Sequence, residues 1–432
     1  MTTYAEFLES KRRIHAPSGI DVSPSDMHPS LFPFQAAIVS WVARKGRACV
    51  FAGTGLGKTR MQVQWAELVC PDRALIVAPL AVAEQTVLEA KELGIDVNRV
   101  HFENDVKPGI SITNYDRLHQ IDATKFGAVV LDESSILKSH DGATRQMIQE
   151  TFSRTPYKLA CSATPSPNDY MELGTHSEFM GAMTRLEMLA TYFTHDGGDT
   201  AKWRLKRHGR RDFWSWVGSW ACVLSHPRDI GFDQDGYDLP DLSFTDHLVY
   251  VESSVCDGLF GDGAVNATNL HQVLRDSAED RAAIVAGLVN QNPSDPWLIW
   301  VNTDNEQKLI EKMIPGIASV KGSDKEQDKV DRLVGFASSK YKHLVTKPSI
   351  AGFGMNWQHC NNVVFCGITY SFEQMYQAIR RCWRFGQKNP VSVHTVTCNA
   401  QESVKSAVKA KQEAFEDMAR EMSRYCSQEV SL

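Results

Sequence analysis

Ala52-Gly53-Thr54-Gly55-Leu56-Gly57-Lys58-Thr59 is the stretch that decides the fold of this 432-residue chain. A glycine-rich loop lets backbone N–H groups close around phosphate oxygens. The lysine after it adds a point charge, and the next hydroxyl can ligate magnesium. The flanks agree: Ala48–Phe51 is a short apolar run suited to a buried strand, and Arg60–Leu68 has helical apolar spacing. Ala52 stands where the generic pattern has its first glycine, which removes some backbone freedom. The competing explanation is a glycine-rich turn that binds nothing, and strand, Lys-Thr and helix together disfavour it.

Composition sets the frame. The length favours two domains with an insertion. A hydrophobic content of 43% with 23% charged residues is that of an ordinary globular protein. No apolar run has the length of a membrane span, and Met1–Arg13 lacks the core of a signal peptide, so no membrane partner and a cytoplasmic location are expected. The ten cysteines are scattered singly and suggest neither a zinc site nor a disulfide framework. A net charge of −6 means that any nucleic-acid surface is a local patch.

From Leu31 to about Pro165, apolar runs alternate with helical segments, which predicts a parallel sheet covered by helices. The expected strands are Ala48–Phe51, Ala74–Ala78, Gly109–Thr113, Ala128–Leu131 and Tyr157–Cys161. Asp132-Glu133 follows the fourth of them, at the strand end where open α/β folds bind ligands. Asp132 can hold magnesium there, and Glu133 can orient or deprotonate an attacking water. A helix N-cap is the alternative for the pair.

Phe34-Gln35, Gly53–Thr59, Asp132-Glu133-Ser134-Ser135, Ser162-Ala163-Thr164 and Gln377-Ala378-Ile379-Arg380-Arg381-Cys382-Trp383-Arg384 occur in that order. The set resembles the superfamily 2 helicases over roughly Leu31 to Val396. Arg384-Phe385-Gly386-Gln387 and Ile112-Thr113-Asn114-Tyr115 look most like its Swi/Snf-type translocase branch, including compact bacterial and phage members. The resemblance implies an α/β chain of two RecA-like parallel-sheet domains that bind ATP and magnesium in the cleft between them and move along nucleic acid. Ser135 departs from the His or Asp usual at that position, and Arg380 from a common Gly.

The nucleotide ligands implied are Gln35 at adenine, then Gly53, Thr54, Gly55, Gly57, Lys58, Thr59 and Gly354, with magnesium on Thr59 and Asp132. An amide can match the edge of adenine, although a helix-start glutamine is the bland reading of Gln35. Ser162-Ala163-Thr164 would link the ATP site to the nucleic acid, and a turn before Pro165 competes with that role. Pro79, Thr113, Asn114, Thr346 and Asn356 are implied as nucleic-acid contacts.

The second half, from about Asp241 to Ala400, reads as strands Pro296–Val301, Tyr341–Thr346, Asn362–Cys366 and Val391–Thr397, with a helix over Asn305–Met313. Arg381 and Arg384 lie three apart on an expected helix, Phe372–Trp383, and so share a face. A guanidinium supplied by a second domain can stabilise the transferred phosphoryl group, whereas a solvated basic face is the plain alternative.

The expected divisions are an extension over 1–30, the first domain over 31–170, a basic and aromatic helical insertion over 171–240, the second domain over 241–400 and a C-terminal helix over 401–432. Lys206, Arg207, Arg210 and Arg211 in the insertion are candidate nucleic-acid contacts, with Lys202 and Arg204 beside them. Trp203, Phe213, Trp214, Trp216 and Trp220 either stack on bases or form the insertion's own core. Thr3–Arg13 suggests a short amphipathic helix, and the thin apolar stripe of the C-terminal helix favours a monomer.

The catalytic set is thus Lys58, Glu133, Arg381 and Arg384. It points to an ATP-dependent helicase or translocase on DNA, with an RNA helicase as the alternative. An ATP-gated binding or scaffold subunit, serving a nuclease or replication partner, is the reading from another class.

Overall fold

The computed structural model describes residues 14–138, 142–166, 169–196, 199–251, 267–351 and 355–430. The expected helix over Thr3–Arg13 lies outside them. Two compact units form: Met1–Asp235 with Ala414–Leu432, and Gly236–Glu413.

The first unit is built on seven strands: β1 (Arg47–Ala52), β2 (Arg73–Ala78), β3 (Val97–Arg99), β4 (Gly109–Asn114), β5 (Ala128–Asp132), β6 (Tyr157–Ser162) and, after a separate hairpin, β9 (Ala221–Leu224). They pair in the order β3-β4-β2-β5-β6-β1-β9, every pairing parallel. The helix Pro33–Lys45 leads into β1, and helices such as Lys58–Val69 and Ala83–Glu92 connect strands, as parallel pairing requires. The central strands are apolar throughout because both faces of a parallel sheet are covered: β5 is buried along its whole length. The five strands expected here are present within a residue of the expected ends.

The segment 171–240 differs from the helical insertion expected. Helices Leu173–Met180, Arg185–Tyr192 and Arg210–Gly218 alternate with an antiparallel hairpin, β7 (Phe193–Asp196) and β8 (Asp199–Leu205). β9 then pairs with β1, so residues through Asp235 are integral to the first unit. Four apolar residues, Ala221–Leu224, all buried, are too short a run to show helical or strand periodicity. Phe213, Trp214, Trp216 and Trp220 are buried in ring contacts with one another, which makes them core.

The second unit holds a parallel sheet of β10 (Leu242–Val249), β11 (Trp297–Val301), β12 (Ala318–Ser319), β13 (His343–Thr346), β14 (Asn362–Cys366) and β15 (Val391–Cys398), ordered β10-β15-β14-β11-β13-β12. Arg281, on the helix Ala278–Gln291, is fully buried and bonds Glu306 at 2.6 Å. The other Glu306 oxygen accepts the N–H groups of Asn302 and Thr303 at 2.8 and 3.0 Å, which caps the helix Asp304–Met313. With its hydrogen-bonding capacity used this fully, the buried pair is tolerated. Gly367 lies close by at φ 86°, and a Cβ there would stand 2.6 Å from the Arg281 guanidinium.

The helix Phe372–Ile379 stops short of the expected Trp383, and Arg381 and Arg384 lie in the turns beyond it. Trp357 N–H donates to Arg381 O at 2.9 Å, which fixes the chain there.

Candidate functional site

Three adjacent strands of the first unit end side by side. β1 leads into the glycine-rich loop, β6 ends at Ser162 and β5 ends at Asp132. The register sets Phe51 against Ser162 and Asp132 against Cys161. Three motifs far apart in sequence therefore share one strand-end edge, where a doubly wound sheet binds its ligand. Ala52 is the last residue of β1 and paired with Leu224, an extended position where a Cβ costs nothing.

The loop takes its shape from two glycines in left-handed backbone, Gly55 at φ 92° and Gly57 at φ 78°. Gly57 caps the helix Lys58–Val69, whose first N–H groups lack intrahelical acceptors and form an anion site. Lys58 Nζ donates to the carbonyls of Ala52 at 2.8 Å and Gly53 at 3.2 Å, at the mouth of the loop. Thr54 is buried, and Thr59, on the first turn of the helix, is half-buried.

Gln35, expected at adenine, lies beside the loop and bonds within the protein. Its Oε1 accepts Phe32 N–H at 3.0 Å and its Nε2 donates to Leu56 O at 3.1 Å. A Cβ on Gly57 would meet Gln35 Nε2 at 2.2 Å. The amide is therefore wedged under the loop, accepting the Phe32 N–H at the start of the helix Pro33–Lys45 and holding Leu56.

Gln62 Nε2 donates to Asp132 Oδ1 at 2.7 Å, and Glu133 N–H donates to the same oxygen at 3.1 Å. Tyr115 Oη donates to Asp132 O at 2.8 Å. Glu133 has left-handed backbone, φ 55°, unusual for a non-glycine residue. Ser162 Oγ donates to Glu133 Oε1 at 2.7 Å and accepts Thr164 N–H at 3.0 Å. Burial and the neighbouring Asp132 push the Cys161 thiol up to about 12, so it stays a neutral thiol beneath the site.

Thr59 and Asp132 offer hard oxygen donors, and no cluster of three His, Cys, Asp or Glu ligands occurs among the described residues. One carboxylate and one hydroxyl beside a phosphate site suit magnesium, which takes few protein ligands and completes its shell with phosphate and water.

In the second unit Arg381 and Arg384 converge, although not as faces of one helix. Both donate to Met355 O, through Nη1 groups at 3.3 and 3.2 Å. Arg381, 4% exposed, also bonds Gln377 through Nε and Nη2. Arg384 is half-buried. Arg380, at the position of a common Gly, packs over Tyr376 and Trp383 with centroid distances of 5.9 and 5.0 Å. Gly354 lies outside the described residues.

The nucleic-acid candidates separate by exposure. Thr346 is fully buried and donates to Val320 O at 3.1 Å, and Thr113 is buried in β4. Asn114 Oδ1 accepts Arg117 N–H at 2.9 Å. Pro79 is half-buried after β2, and Asn356 is exposed. Lys206 Nζ donates to the carbonyls of Ala190 and Thr191, and Arg210 pairs with both carboxylate oxygens of Glu421 at 2.6 and 2.9 Å. Trp214 Nε1 joins the same carboxylate at 3.0 Å. These two cations bond within the unit, Arg210 while itself exposed, and Arg207 and Arg211 are exposed as well. The sequence missed Gln62 and His176, whose contacts form only in the fold and carry no local motif, and it placed Tyr115 in a motif segment without its bond to Asp132 O.

Residues 280–386 match the family described as Helicase conserved C-terminal domain. No curated protein matches the chain. Among solved structures, yeast (S. cerevisiae) Dbp5 bound to RNA and ADP BeF3 is similar at a TM-score of 0.55 and 13% identity, covering 92% of this chain and 98% of that one. The Sulfolobus solfataricus SWI2/SNF2 ATPase core in complex with dsDNA aligns at a TM-score of 0.44 and 17% identity, covering 95% and 97%. Among the described residues no helix is long and apolar enough to cross a membrane.

Proposed function

We propose that the chain is an ATPase of the superfamily 2 helicase type that hydrolyses ATP to move along DNA, a reading supported by the helicase C-terminal domain match over residues 280–386 and by its two parallel α/β sheets. The observation that carries the proposal is the shared strand-end edge of β1, β6 and β5, which brings Lys58, Ser162 and Asp132-Glu133 together.

In this reading Gly53–Thr59 wraps the phosphates with backbone N–H groups, and Lys58 leaves the Ala52 and Gly53 carbonyls for phosphate oxygens. Thr59 and Asp132 would hold magnesium, which neutralises charge on the phosphates. Glu133 orients the attacking water, and Ser162 sets the direction of its carboxylate. Arg381 and Arg384, converging on one carbonyl, are the guanidinium candidates for stabilising the charge on the transferred phosphoryl group. The Ser-Ala-Thr segment, bonded to Glu133, is the natural reporter of polymer binding to the hydrolytic carboxylate.

DNA is favoured by the likeness of Ile112–Tyr115 and Arg384–Gln387 to the Swi/Snf-type translocases, and a cytoplasmic monomer fits the composition. RNA is the second reading, because contacts to the polymer backbone scarcely tell the sugars apart and Dbp5, with this fold, is bound to RNA.

The test is the steady-state ATPase rate of the purified chain with no polymer, single-stranded DNA, duplex DNA and RNA. Strong stimulation by DNA is expected. Stimulation by RNA alone moves the track to RNA, and a flat low rate on all four replaces the motor with a nucleotide-gated scaffold. Displacement of a labelled strand then separates unwinding from movement along intact duplex.

A further inference from the structure

His176 is fully buried on the helix Leu173–Met180, and no step above uses it. Its Nε2 lies 3.1 Å from Ser134 Oγ, and its Nδ1 lies 3.5 Å from Glu172 O. The ring meets Phe51 edge-on, with centroids 5.3 Å apart. Phe51 is the next-to-last residue of β1 and lies opposite Ser162 in the sheet. Ser134 is the residue after Glu133. One imidazole thus touches both the strand that feeds the phosphate loop and the turn that carries the hydrolytic carboxylate.

The hydrogen-bond roles follow from chemistry. Burial holds the imidazole neutral, with its pKa lowered to about 4, so only one ring nitrogen carries a proton. With the proton on Nδ1 toward Glu172 O, Nε2 accepts the Ser134 hydroxyl, and this is the tautomer the inference uses. Ser134 is also buried, with its donor committed to the ring.

Its effect concerns the backbone immediately before it. Glu133 occupies left-handed backbone, a conformation that in a non-glycine residue persists only where the surroundings impose it. Ser162 holds the Glu133 side chain and Asp132 holds its N–H, and the C-terminal side of the residue is anchored through Ser134.

We infer that His176 is a positioning residue for Glu133: by accepting the Ser134 hydroxyl it fixes the strained turn and keeps the carboxylate aimed at the attacking water. The inference rests on the ATPase reading above. It also gives the segment 171–235 a part in the chemistry, through one side chain.

The experiment compares wild type, His176→Leu, His176→Gln, Ser134→Ala and the Leu/Ala double variant. Readouts are kcat and KM of the polymer-stimulated ATPase, fluorescent-ATP affinity and thermal midpoint. His176→Leu should lower kcat about tenfold while KM and nucleotide affinity stay within about twofold, the signature of a misaimed group. His176→Gln, whose Oε1 can accept the Ser134 proton, should restore most of the rate. Ser134→Ala should match His176→Leu, with no further loss in the double variant. Wild-type kcat in His176→Leu overturns the inference, as does an equal loss with Gln, or a loss of rate that only follows nucleotide affinity and thermal midpoint. If the wild-type chain itself hydrolyses no ATP with any polymer, the ATPase reading falls and takes this inference with it, an outcome distinct from an active wild type with an active His176→Leu.

Discussion

Ser162 Oγ donates to Glu133 Oε1 at 2.7 Å, joining the Ser-Ala-Thr segment at the end of β6 to the acidic turn at the end of β5. A hydroxyl that orients a carboxylate acts on the rate of the chemical step, not on nucleotide affinity. Ser162→Ala is expected to lower kcat about tenfold with KM for ATP nearly unchanged. Glu133→Gln and Lys58→Ala, in the same assay, should each cost about a hundredfold or more, with thermal midpoints near wild type.

Gly57→Ala should fail for two separable reasons. Its φ of 78° strains any Cβ-bearing residue by roughly 1–3 kcal/mol, and the new Cβ would stand 2.2 Å from Gln35 Nε2. Urea titration should show lowered stability, and fluorescent-ATP titration weaker binding. The double variant Gly57→Ala/Gln35→Ala relieves the clash, keeps the backbone strain and loses the two Gln35 hydrogen bonds, so it should recover part, not all, of the nucleotide affinity relative to Gly57→Ala.

The two arginines should part company. Arg384 is half-buried, so Arg384→Ala should slow turnover about a hundredfold or more while nucleotide affinity changes little. Arg381 is buried and bonds Gln377 and Met355, so Arg381→Ala should also lower the thermal midpoint. Single-turnover and binding measurements on both variants check the distinction.

His176 sets an acid limit. Burial, with Lys138 adding to it, lowers its pKa from 6.5 to about 4, so the unfolded chain takes up this proton at a higher pH than the folded one. That contribution is intact above pH 6.5 and is lost as pH falls toward 4. Between pH 6.5 and 5 the fold should lose roughly 2 kcal/mol through this group. Urea titrations across that range check it, and the slope should flatten in His176→Leu.

Arg207 and Arg211 should carry salt dependence that Arg210 does not. Replacing the two exposed arginines with alanine should weaken polymer binding and reduce the slope of log affinity against log salt by about two. Arg210→Ala breaks the Glu421 pair and should chiefly lower the thermal midpoint. Binding by the double variant unchanged across a salt titration would remove this surface from the track.

What could be read from the sequence followed the range of the forces involved. Ala128–Leu131 and Ala74–Ala78 were legible because a strand buried on both faces must be continuously apolar. Gly53–Thr59 and Asp132-Glu133 were legible because phosphate and metal chemistry restricts residue type locally. Ala221–Leu224 was not, since its assignment depends on an open edge of β1 more than 160 residues earlier. Arg381 and Arg384 were rightly grouped, but their convergence comes from Met355 O and not from helical spacing. Gln35 was visible as a motif residue, but its bond to Leu56 O and its close approach to Gly57 were not, because they depend on the folded loop.

The pairing of β9 with β1 bears on how the protein is made. The strand that feeds the nucleotide loop is synthesised early, but one of its two neighbours leaves the ribosome only with Ala221–Leu224, and Glu421, the partner of Arg210 and Trp214, comes later still. Until Ala221–Leu224 emerges, β1 keeps one edge unpaired, and the first unit receives Ala414–Leu432, with Glu421, only after the whole of Gly236–Glu413 has emerged.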